Sequence, residues 1–387
     1  MEGSSRRTFV AAAGVALSGF AGCIGRAGPG AGAQDDEETT PTTTASRPTQ
    51  QGIPVADDRL PVEYDFEKLR EEVLSGGPPK DGIPSIDEPK FRDAGKADDE
   101  LRPEDVVFGL VRNGEVRAYP QRILVHHEIV NDVVGDEPVS VTYCPLTGTA
   151  MGFERGETTF GVSGKLVNNN LVMYDRETDS RWPQVLATAI SGTFEGESLR
   201  EFRLVWTTWD RWKAVHPETA VLSTDTGHVR NYDNDPYGSY VPNRSGYYVR
   251  DSPLFPPLGS DGRLPNKRVV MGSRTGSGRI AFDKSVLREE GLLSGEVGGT
   301  PHLAVYDSAL DTGYVYRNPE GASFGREEGA QGQVVAGDGT SYDPANLPLD
   351  RVYAFDAMWF AWSGFYPSTE LVGSASESPN ADAGLVG

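Results

Sequence analysis

Apolar and polar residues alternate through Val106–Tyr119, VVFGLVRNGEVRAY, and the alternation breaks once, at Asn113-Gly114. Two such runs about an Asn-Gly pair predict a β-hairpin, because that pair accepts the positive backbone angles of a tight turn. Pro120 then predicts the start of a short helix to Leu124, its ring already holding the angle a first helical turn needs. HHEIVNDVV, a GDEP turn and a strand over Val139–Tyr143 come next. Lys165–Arg176 alternates again after an Asn run. Its strand places Asn170, Val172 and Tyr174 on one side and Leu171, Met173 and Asp175 on the other. Trp209, Trp212 and Val215 fall at helical spacing and make an apolar stripe. One further short helix is predicted over Phe66–Leu74. Long apolar helical runs are scarce while Gly (46) and Pro (27) are frequent, which predicts a β-rich α+β fold.

The pattern returns further along. RVVMGSRTGSGRIAFDKSVL repeats VVFGLVRNGEVRAYPQRIL at a shift of 163 residues, carrying Val106 onto Val269, Gly109 onto Gly272, Ala118 onto Ala281 and Tyr119 onto Phe282. The same shift carries Pro138 onto Pro301, Tyr143 onto Tyr306, Thr149 onto Thr312 and Phe153 onto Tyr316. WDRWKAVHPET at Trp209 matches WFAWSGFYPST at Trp359 at a shift of 150, so the second copy is 13 residues shorter in between (163 − 150). Internal repetition of this kind predicts two homologous tandem units packed as a pseudo-twofold pair, residues 104–222 and 267–372. Shared positions are Gly, Pro, Trp and apolar residues, which turns and packing explain. Differing positions are the candidates for chemistry. His126, His127, Glu128, Asn131 and Asp132 become Glu289, Glu290, Gly291, Ser294 and Gly295; Cys144 becomes Asp307, and His216 becomes Tyr366. The first unit is therefore expected to carry the site and the second to be its scaffold copy.

The remaining segments lie outside the repeat. Arg6-Arg7-Thr8-Phe9 opens a twin-arginine export signal, and Phe20-Ala21-Gly22-Cys23 resembles a lipoprotein processing box with Cys23 as the lipidated residue. Residues 1–23 are thus read as a signal peptide with lipobox, and 24–60, rich in Gly, Thr, Pro, Gln and acids, as a disordered stalk. A surface-wrapping lead-in is expected over 61–103, a Tyr/Pro-rich connecting loop over 223–266, and a disordered tail over 373–387. The expected location is extracytoplasmic, with the membrane as a partner through a lipid anchor on its outer face. A formal charge of −21 argues against nucleic acid, which such a surface would repel. The acidic, lysine-poor balance suits a halophilic protein held soluble in concentrated salt, where surface charge is screened.

Chemistry concentrates between His126 and Gln184. Cys144 ends a strand before Pro145 and is thereby presented at a turn. A thiolate there would act as a nucleophile or a soft metal ligand if a neighbour lowered its pKa, and His127 is the candidate base. If HHEIVND is a strand, His127, Ile129 and Asn131 share one face, so that Asn131 would orient His127 toward Cys144. The segment is not a HExxH zinc pattern, because Asn131 stands where the second His would be. A buried, inert thiol and a hydrogen-bonded strand end are the plain alternatives. Glu128, Asn131, Lys165, Asn170, Asp175, Arg176, Trp182 and Gln184 complete a candidate polar lining, with Trp182 as its floor; turn capping explains Asp175-Arg176 equally well. Trp209 and Trp212, which recur in the second copy, are expected in the core. The Tyr-rich run from Tyr232 is expected to be a long ordered loop lining a cleft.

HEIVND, TYCPLTGTA, FGVSGKLVNNNLVMYDRETDSRWPQ, WDRWKAVHP and WFAWSGFYP together resemble a domain-of-unknown-function family of exported bacterial and archaeal proteins with a YCPLCGTA signature. The resemblance runs from about Arg102 to Leu371, and the acidic twin-arginine form resembles haloarchaeal members. It carries no established activity over to this chain and leaves cofactors open. Thr147 stands where the family pattern has a second cysteine, which leaves Cys144 without a partner for dithiol chemistry. The leading expectation is a lipoprotein that binds a small polar ligand in a pocket of the first unit. An enzyme with a Cys144 nucleophile and His127 base, and a single copper or zinc site at Cys144 and His127, are the alternatives.

Overall fold

The computed structural model describes residues 52–326 and 332–373. The export signal, the lipobox Cys23, most of the expected stalk and nearly all of the tail lie outside the described residues. The stalk's expected end at residue 60 is corrected: Ile53 is buried and Val55 bridges Leu199, so the chain packs against the body well before that point. No described helix is long and apolar enough to cross a membrane.

The fold is β-rich, built mostly from antiparallel strands. Its first hairpin joins Val106–Arg112 to Glu115–Pro120. Asn113 and Gly114 take positive φ, as an Asn-Gly turn requires. Val205–Thr208 adds antiparallel to one edge, and Ala220–Leu222 adds parallel to the other. The helix Gln121–Leu124 then leads into a meander of Ile129–Val134, Glu137–Cys144 and Thr149–Glu154, closed by Glu201–Phe202. A separate sheet of Leu74–Ser75, Phe160–Val167, Asn170–Asp175 and Arg181–Pro183 is inserted after the meander.

Later in the chain the same connections recur. Val269–Thr275 and Gly278–Asp283 form a hairpin flanked by Ala354–Met358 and, in parallel, Glu370–Val372. The helix Lys284–Glu290 follows, then a meander of Leu292–Val297, Thr300–Asp307 and Thr312–Arg317. Registers agree as well: Gly109 faces Ala118 and Gly272 faces Ala281, while Cys144 faces Thr149 and Asp307 faces Thr312.

One close approach explains two of the repeated glycines. A Cβ on Gly109 would fall 2.2 Å from the Trp212 ring, and one on Gly272 would fall 2.2 Å from Trp362. Each indole is pinned from its far side by a threonine, Trp212 Nε1 donating to Thr219 Oγ1 at 3.0 Å and Trp362 Nε1 to Thr369 Oγ1 at 2.9 Å.

The two tryptophan helices differ in their surroundings. Trp209–Val215 keeps an exposed side, with Val215 44% accessible. Trp359–Phe365 is buried on every side, because the inserted sheet packs over it in the largest apolar cluster. Arg203 also fastens the halves, donating to Ala354 O, Thr312 Oγ1 and Gly313 O at 2.7 Å each. Nearby, Arg274 and Glu201 form an ion pair at 2.6 Å with side chains 0% and 7% exposed.

Candidate functional site

The short helix Gln121–Leu124 must turn sharply to enter the strand at Ile129. It does so at Glu128, whose N–H donates to Leu124 O at 2.7 Å and whose φ is +58°. A left-handed backbone is costly for any residue with a side chain. The strand start is then locked by Tyr143 N–H donating to Glu128 O at 2.8 Å. In the second half Gly291 does the same work, with φ +80° and Tyr306 N–H on its carbonyl at 2.8 Å. Glycine suits this turn and glutamate does not. The Glu128 side chain is nevertheless buried, 7% exposed, and accepts no hydrogen bond from any described residue. Burial alone pushes its carboxyl up from 4.5 to about 8, so it is protonated at neutral pH.

Cys144 closes the neighbouring strand, 1% exposed, its thiol directed at Asn169 O at 3.6 Å. Burial, and secondarily the nearby Glu128 carboxyl, push the thiol up to about 11. This is the reverse of what activates a nucleophilic cysteine.

The expected Cys144–His127 pair does not form. His127 is fully buried, and both ring nitrogens are engaged elsewhere: Nδ1 with Pro84 O at 2.7 Å and Nε2 with Tyr232 Oη at 2.7 Å. Burial lowers its pKa to about 4, so the ring is neutral. Nor does Asn131 orient it. Asn131 donates to Asp87 Oδ1 at 2.7 Å and Phe160 O at 2.8 Å, and it accepts from Ser140 Oγ at 2.7 Å. His127 precedes the left-handed residue and lies outside the strand Ile129–Val134, so strand alternation does not give it the face of Asn131. With its nitrogens so committed, His127 is not placed to share a metal with Cys144. Among the described residues no three His, Cys, Asp or Glu side chains converge as a metal site.

The rest of the expected lining divides into separate networks. Asn170 donates to Thr147 Oγ1 at 3.1 Å and Gln184 Oε1 at 3.0 Å; Gln184 in turn donates to Thr142 Oγ1 at 2.8 Å. These amides tie the inserted sheet to the meander beneath Cys144 and are satisfied within the protein. Asp175 caps its own turn, accepting from Thr178 N–H at 2.6 Å and from the buried Trp182 Nε1 at 3.0 Å. Trp182 is therefore core and not the floor of a pocket. Arg176 reaches Asp87 at 3.0 Å and Ser85 at 2.8 Å. Lys165 stands on the strand Phe160–Val167 opposite Ser75, apart from Cys144.

What does cover Cys144 and Glu128 is the connecting segment. Tyr237 and Tyr247 lie in contact, ring centroids 6.2 Å apart, and Tyr247 Oη donates to Leu146 O at 2.7 Å. Tyr237 packs against the apolar cluster that contains Cys144; burial raises its hydroxyl, and Glu128 and Cys144 raise it further. Lys267 lies 3.0 Å over the Tyr247 ring and donates to the Tyr247 carbonyl; burial lowers its pKa to about 8. The roof is held by the Asn run: Asn169 exchanges hydrogen bonds with Phe255, donating at 2.9 Å and accepting at 2.7 Å, while Asn168 accepts from Leu258 N–H at 2.9 Å. The density of tyrosines was the only sequence signal for this roof, and nothing marked Lys267.

The fold is thus a β-rich body of matched hairpins and meanders with a buried carboxyl and thiol under an aromatic cover. Residues 80–369 match the family described as "Protein of unknown function (DUF3179)", and the chain belongs to that family. Comparison with curated proteins and with solved structures finds no match.

Proposed function

We propose that this protein binds a small polar ligand at Glu128 and Cys144, beneath the tyrosine-rich segment. One observation carries the reading. A largely buried carboxyl that meets no partner among the described residues stands on a left-handed backbone where the matching position holds glycine. Strain and desolvation at one residue are both costs to the fold, and such costs gather at functional positions. Protonated Glu128 offers one donor and one acceptor, and the Cys144 thiol a weak donor. The complementary ligand is small, carries both a donor and an acceptor, and displaces the tyrosine cover to enter. The Cys144–His127 enzyme loses its base, and the Cys144–His127 metal site its second ligand, to the hydrogen bonds that hold His127.

The body around this site is a duplicated scaffold. Matching strand connections, registers and tryptophan helices support descent of 104–222 and 267–372 from one unit, arranged about a pseudo-twofold axis. The twin-arginine start and Cys23 box support export and lipid anchoring at the outer face of the membrane.

Thermal-shift titration of the full chain with small neutral amides, hydroxyamides and amines tests the site. Wild-type protein gains stability with at least one class, and Glu128→Gly and Cys144→Ala lose that gain while remaining folded by circular dichroism. Equal gains in both variants would refute the assignment.

A further inference from the structure

A second cleft opens where the two halves meet, and matching positions of both halves line it: Val106 with Val269, Trp206 with Asp356, Gly148 with Asp311. It holds about 100 Å³ of enclosed space, room for several water molecules, and is open at its mouth. Its polar groups are unusual. Thr207 Oγ1, Arg244 Nε and Asp356 Oδ1 are buried and make no hydrogen bond to any described residue, and Tyr240 Oη has only the Tyr143 hydroxyl beside it. All four residues line this one cleft. Twelve such atoms occur among the described residues, and the other eight all belong to residues that stand outside this cleft's wall. An unpartnered buried polar atom is costly to the fold, so their gathering on one wall calls for a common partner.

The charges narrow its chemistry. Lys284 engages Asp356 through Oδ2 and leaves Oδ1 open; Arg288 forks onto Asp311 at 2.9 and 2.6 Å. These two pairs neutralise each other. Arg244 makes no ion pair with any described acid, and its guanidinium stands 5.6 Å from the Tyr240 ring centroid. The cleft is left with one unbalanced positive charge in a chain of net charge −21. Val241, Val269 and Met358 supply an apolar wall beside the Trp206 ring.

We propose that this cleft binds a small organic acid with an apolar body and a hydrogen-bond donor next to its carboxylate, the α-amino or α-hydroxy acid class. The carboxylate meets Arg244 with the Tyr240 and Thr207 hydroxyls, the adjacent ammonium or hydroxyl donates to Asp356 Oδ1, and the body lies against Trp206 and Met358. A charge-assisted hydrogen bond to a buried partner is the strongest single contact such a ligand makes.

Isothermal titration of the full chain with L-phenylalanine, L-3-phenyllactate, 3-phenylpropionate and phenethylamine tests this. The first two bind; loss of the donor in phenylpropionate weakens binding about tenfold; phenethylamine gives no heat. Arg244→Gln abolishes binding, and Asp356→Asn removes the preference for the donor-bearing acids, with folding of each variant checked by its thermal transition. Glu128→Gly leaves the titration unchanged, which separates this cleft from the site under the tyrosines. Absence of heat from all four probes, binding of phenethylamine as tight as that of the acids, or undiminished binding in Arg244→Gln would each overturn the proposal.

Discussion

The helix-to-strand junction is built twice in this chain, once with Gly291 and once with Glu128. Backbone hydrogen bonds and the left-handed turn are the same in both. Around Gly291 the arrangement is self-sufficient: Asp307, at the position of Cys144, caps its own turn by accepting from Ala309 N–H at 2.9 Å and Leu310 N–H at 3.2 Å. Around Glu128 it is not, since a strained residue holds an unpartnered carboxyl beside a thiol. The scaffold needs only the turn. Whatever Glu128 and Cys144 add beyond it belongs to another role.

Four measurements would break or sharpen that contrast. The largest effect is expected where the halves are joined: Glu201→Ala leaves Arg274 buried and unpaired, and urea unfolding should show a loss of about 3–5 kcal/mol. A loss near zero would mean that the halves are held by packing alone. Next comes pH. The folded-state pKa of Glu128 is raised from 4.5 to about 8, so its contribution is fully present below pH 4.5 and is lost as pH rises through 8. Glu128→Gln lacks that loss, and its stability advantage over the wild type should grow through this window to on the order of a few kcal/mol. Parallel stability curves would show that the carboxyl is not desolvated. Third, Glu128→Gly installs the residue found in the matching turn and should raise stability by about 1 kcal/mol by relieving the left-handed backbone. The smallest effect is kinetic. Cys144 in native protein should react with iodoacetamide at neutral pH more slowly than free cysteine, since its thiol is buried and protonated. A faster reaction would restore the nucleophile.

Much of the framework was legible in the chain. Asn113-Gly114 announced its hairpin, the tryptophan spacing announced a helix, and the shifts of 163 and 150 paired strands whose registers agree. Cys144 and Glu128 were also named among the candidates. Their relation to His127 was not legible, because alternation assigns faces only along a continuous strand, and the left-handed turn at Glu128 resets the count. The polar residues of the inserted sheet misled for a different reason. Asn170, Gln184 and Asp175 satisfy one another and the backbone, and a satisfied buried network has the same composition as a binding site. The tyrosine cover comes from a segment without repeat or strong periodicity, so only its composition hinted at a wall.

The Asn168 and Asn169 side chains make the shielding of the site depend on the far end of the chain. They fasten residues 255 and 258, and Asn168 also donates to Ala361 O at 2.9 Å, deep in the second half. The aromatic cover and the C-terminal tryptophan helix are therefore held by the same two side chains. A chain ending at residue 222 lacks both the cover and that helix, so the thiol and the carboxyl are shielded only in the whole body.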